Sequence, residues 1–77
     1  MTKKIRIYTT PICFECERAK KFFKEKNLKY EEIDTFEKKK EAEEIFKKAG
    51  TKRIPIIEIG KQIFPGFDKK KIEEALK

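Results

Sequence analysis

The apolar residues of this chain recur with two different periods. Near the start, Ile5 and Ile7 alternate with charged residues, which is the period-two pattern of a strand. Within the Lys- and Glu-rich stretch that follows, three apolar residues recur at helical spacing: Ala19, Phe22 and Phe23. We therefore predict a first strand and then a helix over roughly residues 14–26, with Asn27 as its left-handed stop.

The middle of the chain repeats this order of strand and helix. Residues 29–34 predict a second, weaker strand. Four apolar residues then recur at the spacing of a helix: Ala42, Ile45, Phe46 and Ala49. Gly50 stands where a left-handed residue would end that helix. Asp34 with Glu37 resembles a capping box, which predicts Asp34 as the N-cap.

The last part predicts a hairpin. Residues 54–59 form a largely apolar third strand, Gly60-Lys61 suits a two-residue turn, and residues 62–64 form the fourth strand. The order β-α-β-α-β-β-α makes the first two strands parallel, with a right-handed crossover, and the last two antiparallel. We therefore predict a single α/β domain over residues 1–77, a mixed four-stranded sheet with helices on both faces.

Composition limits what such a domain can hold. Ile, Phe and Leu supply 20 of the 77 residues, enough for a small core but not for a large buried cofactor. The net charge of +7 favours acidic protein partners, but basic and acidic residues are interspersed, which argues against nucleic acid. There is no apolar run of membrane-spanning length and no signal peptide, so we expect a cytoplasmic protein without a membrane partner. One Asn and one Gln among many Lys and Glu residues are typical of thermophiles.

The only two cysteines form the motif Cys13-Phe14-Glu15-Cys16, between a predicted strand and a predicted helix. Unpaired N–H groups and the helix dipole at a helix N-terminus favour thiolate over thiol, which predicts a lowered pKa for Cys13. Cys16, one turn further on, is expected to be more buried. Cys13 could then attack a disulfide, and Cys16 could resolve the mixed disulfide.

Other interpretations of the two cysteines remain open. The chain has no His, which excludes a Cys-His pair or a His-bearing zinc site. A metal would need ligands from a second chain, or carboxylates in unusual roles. The alternative to a redox dithiol is therefore a zinc or iron-sulfur module formed by a dimer. A third interpretation is an interaction domain that has kept a redox fold.

Three motifs together resemble the glutaredoxin family and its NrdH-type redoxin branch: Cys13-Phe14-Glu15-Cys16, Arg53-Ile54-Pro55 and Pro65-Gly66-Phe67-Asp68. The resemblance covers the whole chain. It implies a minimal thioredoxin fold and a monomeric thiol-disulfide oxidoreductase that uses its own sulfurs, with no cofactor or metal. It also implies disulfide-bearing protein substrates, ribonucleotide reductase among them, and either glutathione or a thioredoxin reductase as electron donor.

The resemblance assigns roles to six further residues. Pro55 matches the proline that the fold holds in cis beside the dithiol, where it turns the Ile54 backbone toward an extended substrate; the alternative is an edge-strand proline. Lys52 matches a basic residue that holds the glycyl carboxylate of glutathione. The γ-glutamyl end would meet a segment of three residues: Gly66, Phe67 and Asp68.

Simpler structural roles are open for some of these residues. Asp68 is equally well placed as a helix cap, and Phe67 with Ile72 is spaced as a hydrophobic staple. Tyr8, which leads into the dithiol loop, is expected in the core. Phe14, with Ile54 and Phe67, is predicted to rim the dithiol.

The chain also departs from the family pattern. Glutaredoxins usually carry Pro-Tyr between the cysteines, and Phe14-Glu15 stands there instead; we expect Glu15 to oppose the Cys13 thiolate. Thr10 replaces a frequent Lys, and Arg53 replaces a Thr. Because two polar anchors for glutathione are changed, the sequence favours a thioredoxin reductase over glutathione as donor.

Overall fold

The computed structural model describes residues 4–76 and has the element order that the sequence predicts. The strands are β1 Ile5–Thr9, β2 Glu31–Asp34, β3 Ile56–Ile59 and β4 Gln62–Pro65. The helices are α1 Phe14–Glu25, α2 Lys39–Ala49 and α3 Lys69–Ala75. The absence of a signal peptide was predicted from residues 1–6, and residues 1–3 of that segment lie outside the described residues. None of the described helices is long and apolar enough to cross a membrane.

The four strands form one mixed sheet in the order β2-β1-β3-β4. β1 and β2 are parallel, whereas β1 with β3 and β3 with β4 are antiparallel, which confirms the predicted fold class. Ile59 pairs with Gln62, so Gly60-Lys61 is the predicted two-residue turn.

Each face of the sheet carries its own hydrophobic cluster. On one face, apolar residues of β1 and β3 form a cluster with residues of α1 and α3: Ile5, Ile7, Ala19, Phe22, Phe23, Ile57, Ile59, Ile72 and Ala75. On the other face, three buried strand residues form a cluster with Ile45 of α2: Tyr8, Ile33 and Ile56. Because successive strand residues point to opposite faces, β1 and β3 are buried on both sides and form the centre of the sheet.

The strand and helix boundaries correct three predictions. The capping box at Asp34 was wrong: α2 begins at Lys39, and the Asp34 side chain accepts a hydrogen bond from the Phe36 N–H at 2.8 Å instead. Asp34 therefore closes a local turn, which the short side chain of Asp favours as readily as a helix cap. The second strand begins at Glu31 rather than at residue 29. The third begins at Ile56, directly after a proline that has no N–H to give to a neighbouring strand.

Gly50 ends α2 in the left-handed conformation, with φ of 72° and its N–H donating to Phe46 O. Apart from Gly50 itself and its two chain neighbours, no atom of residues 4–76 lies within 4 Å of the position that a Cβ would take. We therefore expect Gly50→Ala to lower the free energy of unfolding by about 1 kcal/mol, through backbone strain alone. Urea denaturation measures this effect, and Gly50→Asn should cost less because Asn tolerates this conformation. An Ala variant as stable as the parent chain would contradict this explanation.

Candidate active site

The functional end of the molecule is defined by the sheet topology. Because β1, β2 and β4 end where β3 begins, four connections lie at the same end of the strands: residues 10–13, 35–38, 51–55 and 66–68. We call this end of the sheet the dithiol end, since the connection after β1 carries the first cysteine. The Thr10 hydroxyl donates to Ile12 O at 3.1 Å within that connection.

Cys13 and Cys16 lie at the N-terminus of α1 and are joined by a disulfide, with Cα atoms 5.3 Å apart. Cys13 is the N-cap, and its sulfur accepts a hydrogen bond from the Cys16 N–H at 3.2 Å. Cys13 is partly exposed, whereas Cys16 is 1% exposed. The same N–H can stabilise a Cys13 thiolate in the reduced protein, and of the two cysteines only Cys13 is exposed to solvent. Cys13 is therefore placed to attack, and Cys16 to resolve.

The connection into β3 lies at the dithiol end and contains a cis peptide bond between Ile54 and Pro55. Pro55 is buried, and its carbonyl accepts a hydrogen bond from the Gly66 N–H at 2.6 Å. Among residues 4–76, no backbone group bonds to the Ile54 N–H or C=O. A substrate backbone could therefore occupy both groups.

An open groove of about 690 Å³ begins at Glu15 and runs along β4 to the start of α3. Six of its lining residues come from the connections at the dithiol end or from the first turn of α3: Arg53, Gly66, Phe67, Asp68, Lys69 and Lys71. The Arg53 guanidinium lies against Gly66, 3.5 Å from where a Cβ would stand. The structure thus brings Gly66, Phe67 and Asp68 together as one surface. Lys52 instead borders a separate depression beside Phe46 and Gly50.

Two of the groove residues also have structural roles. Asp68 is the N-cap of α3, because its carboxylate accepts a hydrogen bond from the Lys71 N–H at 3.3 Å. Phe67 packs edge to face on Phe22 with ring centroids 5.7 Å apart, and it joins the cluster that contains Ile72, as a hydrophobic staple does. Both still line the groove, so the structural role does not exclude the binding role.

A polar network lies between α1 and the edge strand β2. The buried Thr9 hydroxyl donates to the Glu32 carboxylate at 3.1 Å, and Lys20 contacts the same carboxylate at 3.1 Å. Lys20 also lies 2.9 Å from Glu17. The hydrogen bond to Glu17, with support from Glu32, raises the pKa of Lys20 above its ordinary value. This network fixes α1 to the sheet one turn beyond Cys16.

Tyr8 lies in the core, as predicted, and its hydroxyl donates to Glu58 at 3.4 Å. Burial raises the pKa of Tyr8 above its ordinary value, the Glu58 charge adds to this effect, and Arg6 opposes it. The folded chain therefore holds the phenolic proton more tightly than the unfolded chain does.

This pKa shift predicts a loss of stability at high pH. The contribution is fully present below about pH 10, the ordinary pKa of tyrosine, and is lost as the pH rises through the folded pKa. We expect the free energy of unfolding of Tyr8→Phe to fall less steeply above pH 10 than that of the parent chain. Urea denaturation between pH 9 and 11.5 tests this, with Tyr30→Phe as the matched control. Equal slopes for Tyr8→Phe and the parent chain would contradict the assignment.

The sequence did not indicate three features of this end of the molecule. Arg53 reads as a departure from the family pattern, yet it is a wall of the groove. Ile12 and Phe36 are large apolar residues that are 89% and 66% exposed. One feature of the sequence could have identified Ile12 and Phe36 as exposed: both stand in connections, outside every apolar periodicity of the chain.

In the described part of the chain, the two cysteines have no further ligands beside them that would complete a metal site. Within residues 4–76, no group of three or more Cys, His, Asp or Glu side chains is arranged to hold a metal ion. A metal module built on the two cysteines would therefore need ligands from a second chain.

An accessible sulfur at a helix N-terminus, paired with a buried one, on this sheet defines a thiol-disulfide oxidoreductase of the thioredoxin fold. The family model for glutaredoxin matches residues 5–64. The chain belongs to the glutaredoxin family.

Individual relatives agree with this assignment. A glutaredoxin-like 8.6 kDa protein encoded in the rubredoxin operon of Clostridium pasteurianum is 32% identical over 72 residues, which cover 94% of this chain and 96% of that protein. The NrdH-redoxin of Escherichia coli superposes with a TM-score of 0.78 at 25% identity over 92% of both chains. A glutaredoxin from Archaeoglobus fulgidus has a TM-score of 0.85 at 22% identity, covers 97% of this chain and 87% of its own, and supports the fold.

Proposed function

We propose that this chain is an electron carrier that reduces protein disulfides and is itself re-reduced by a thioredoxin reductase. The observation that carries the proposal is the asymmetry of the dithiol: Cys13 is partly exposed and accepts the Cys16 N–H, whereas Cys16 is buried. Such asymmetry separates an attacking sulfur from a resolving sulfur within one helical turn.

The reaction is a pair of exchanges. The Cys13 thiolate attacks one sulfur of the substrate disulfide, which forms a mixed disulfide and releases the other substrate sulfur as a thiolate. Cys16 then loses its proton and attacks Cys13, which forms the Cys13–Cys16 disulfide and releases the second substrate thiol. Two electrons pass from the carrier to the substrate, and two protons follow. The donor returns them to Cys13 and Cys16.

Two observations support a thioredoxin reductase as donor. Lys52, the residue matched to the glycyl anchor of glutathione, does not line the groove that contains Gly66, Phe67 and Asp68. In addition, the NrdH-redoxin that this chain resembles is described as glutaredoxin-like with a thioredoxin-like activity profile. Glutathione is the second candidate, because Arg53 and Lys69 offer cations to its carboxylates in the groove.

The donor is tested by incubating the oxidised protein either in a glutathione redox buffer or with a thioredoxin reductase and NADPH. Free thiols are then alkylated and counted by mass spectrometry. We expect full reduction by the reductase and little by glutathione. Full reduction by glutathione, with a glutathione adduct on Cys13 in the Cys16→Ser variant, would assign glutathione as donor. Arg53→Gln is the matched variant, because it should slow a reaction with glutathione, which has only the groove to bind, more than a reaction with the reductase.

The proposed substrates are protein disulfides, including that of ribonucleotide reductase. An oxidised ribonucleotide reductase should regain its activity when the reduced carrier is added in stoichiometric amounts. If it stays oxidised while other protein disulfides are reduced, that particular substrate is excluded and the carrier role stands.

A further inference from the structure

Three large apolar side chains are exposed in the part of the chain that the structure describes, and all three lie at the dithiol end. Ile12 is 89%, Phe14 87% and Phe36 66% exposed. We call these three residues the apolar rim. Within residues 4–76, the other large apolar side chains are at least partly buried. Exposed apolar residues grouped beside a reactive group indicate a surface that a partner covers.

Phe36 is held in place rather than carried by a loose loop. The Thr35 N–H and hydroxyl both donate to Thr9 O, each at 2.9 Å, so the residue before Phe36 is fixed to the end of β1. The Phe36 N–H donates to Asp34 at 2.8 Å. After Phe36, the Lys38 N–H donates to Asp34 O at 2.8 Å, so the backbone on both sides of Phe36 is tied down while its ring points into solvent.

The position of Phe36 distinguishes large partners from small ones. Phe36 follows β2, whereas the groove lies along β4, at the other edge of the sheet. Three inter-strand spacings, roughly 14 Å, separate these edges. A small disulfide placed at Cys13 can use one side only. A folded protein covers both sides at once, with its disulfide over the β1 connection.

The charged residues next to Phe36 indicate the charge of the partner surface that would bind there. Three consecutive lysines form the N-cap and the first two residues of α2: Lys38, Lys39 and Lys40, which we call the lysine run. No member of the lysine run forms a salt bridge with any residue from 4 to 76, although Glu37 and Glu41 flank the run. With a net charge of +7 on the whole chain, the complementary surface is acidic.

We propose that the apolar rim, edged by the lysine run, is a docking surface for a folded protein whose disulfide lies in an apolar patch with acidic residues around it. Phe36 is then a specificity residue that acts on protein disulfides and not on small ones. This inference rests on the proposed function, since it concerns the partner of the same dithiol.

The experiment compares one protein disulfide with one small disulfide. The reduced carrier is mixed with insulin, an acidic protein, or with bis(2-hydroxyethyl) disulfide, and second-order rate constants are measured. We expect Phe36→Ser to lower the rate constant with insulin about tenfold, because the contact of one large apolar side chain is lost. The rate constant with the small disulfide should stay within twofold. Phe36→Leu, which keeps an apolar side chain, should retain most of the insulin rate.

Charge is tested separately. Lys39→Glu should lower the insulin rate several-fold and weaken its dependence on salt, because steering of an acidic partner is lost. The matched control is Lys61→Glu, which makes the same charge change in the turn between β3 and β4, at the opposite end of the sheet. It should leave both rates close to those of the parent chain.

The outcomes separate the two proposals. A carrier that reduces neither disulfide contradicts the proposed function. A carrier that reduces the small disulfide but not insulin, or whose Phe36→Ser variant slows both reactions equally or neither, overturns the docking surface alone. A dimer in sedimentation that Phe36→Ser dissociates would assign the apolar rim to a second copy of the chain and overturn it as well.

Discussion

Cys13→Ser should abolish disulfide reduction, with the rate falling by about 10³-fold or more, because no other group can form the mixed disulfide. Cys16 is 1% exposed and cannot replace Cys13 as the attacking sulfur. Turnover of bis(2-hydroxyethyl) disulfide by the reduced protein measures the loss.

Cys16→Ser is the matched variant, and it should fail differently. Its Cys13 still attacks, but nothing resolves the product, so the mixed disulfide accumulates on Cys13 and appears as a mass increase of the intact protein. Full activity of Cys13→Ser would end the redox assignment. An adduct on Cys16 in Cys13→Ser would instead exchange the roles of the two sulfurs.

Phe23→Ala should be the most destabilising of the substitutions considered for this chain, with a loss of about 3–5 kcal/mol in the free energy of unfolding. Phe23 is fully buried between α1 and the sheet, and its ring packs against Phe22 at 5.5 Å and Tyr30 at 5.8 Å between centroids. Small domains have a total stability of roughly 5–15 kcal/mol, so this loss would remove much of it. Chemical denaturation of the oxidised protein measures it.

Phe36→Ala is the control for Phe23→Ala, because it removes the same atoms from a position that is 66% exposed. We expect it to change stability by no more than about 0.5 kcal/mol. Similar losses for the two variants would mean that the stability of the chain does not depend on the core that contains Phe23.

The fold could be predicted from the sequence wherever local signals and periodicity agreed. Asn27 and Gly50 have positive φ, as predicted, because each directly follows a helix that the apolar spacing predicts. Asp34 failed because a short acidic side chain near a helix start suits a local turn as well as a cap, and three further residues precede the N-cap of α2. Sequence spacing alone does not decide between the two.

The candidate site divides in a similar way. The placement of Cys13 and Cys16 follows from one helical turn and needs no distant contact. The groove, in contrast, depends on several contacts between residues distant in the sequence. Arg53 lies against Gly66 only because the connection before β3 and the connection after β4 lie side by side. Thirteen positions separate these residues in the sequence, and nothing local predicts that they touch.

The pairing of β3 with β1 has a consequence for how the register of the sheet is specified. Because Ile56 and Ile57 bury opposite faces, sliding β3 by one residue would exchange isoleucines and lose little apolar burial. In the observed register, the Glu58 carboxylate lies 3.7 Å from the Arg6 guanidinium. After a shift by one residue, Glu58 would point into the cluster beneath α1 and α3 without a counter-charge, which would be strongly destabilising. The central strands are apolar on both faces, so apolar burial alone does not select one register. The partly exposed Arg6–Glu58 ion pair does select it, and the pair therefore contributes to the specificity of strand pairing rather than to stability.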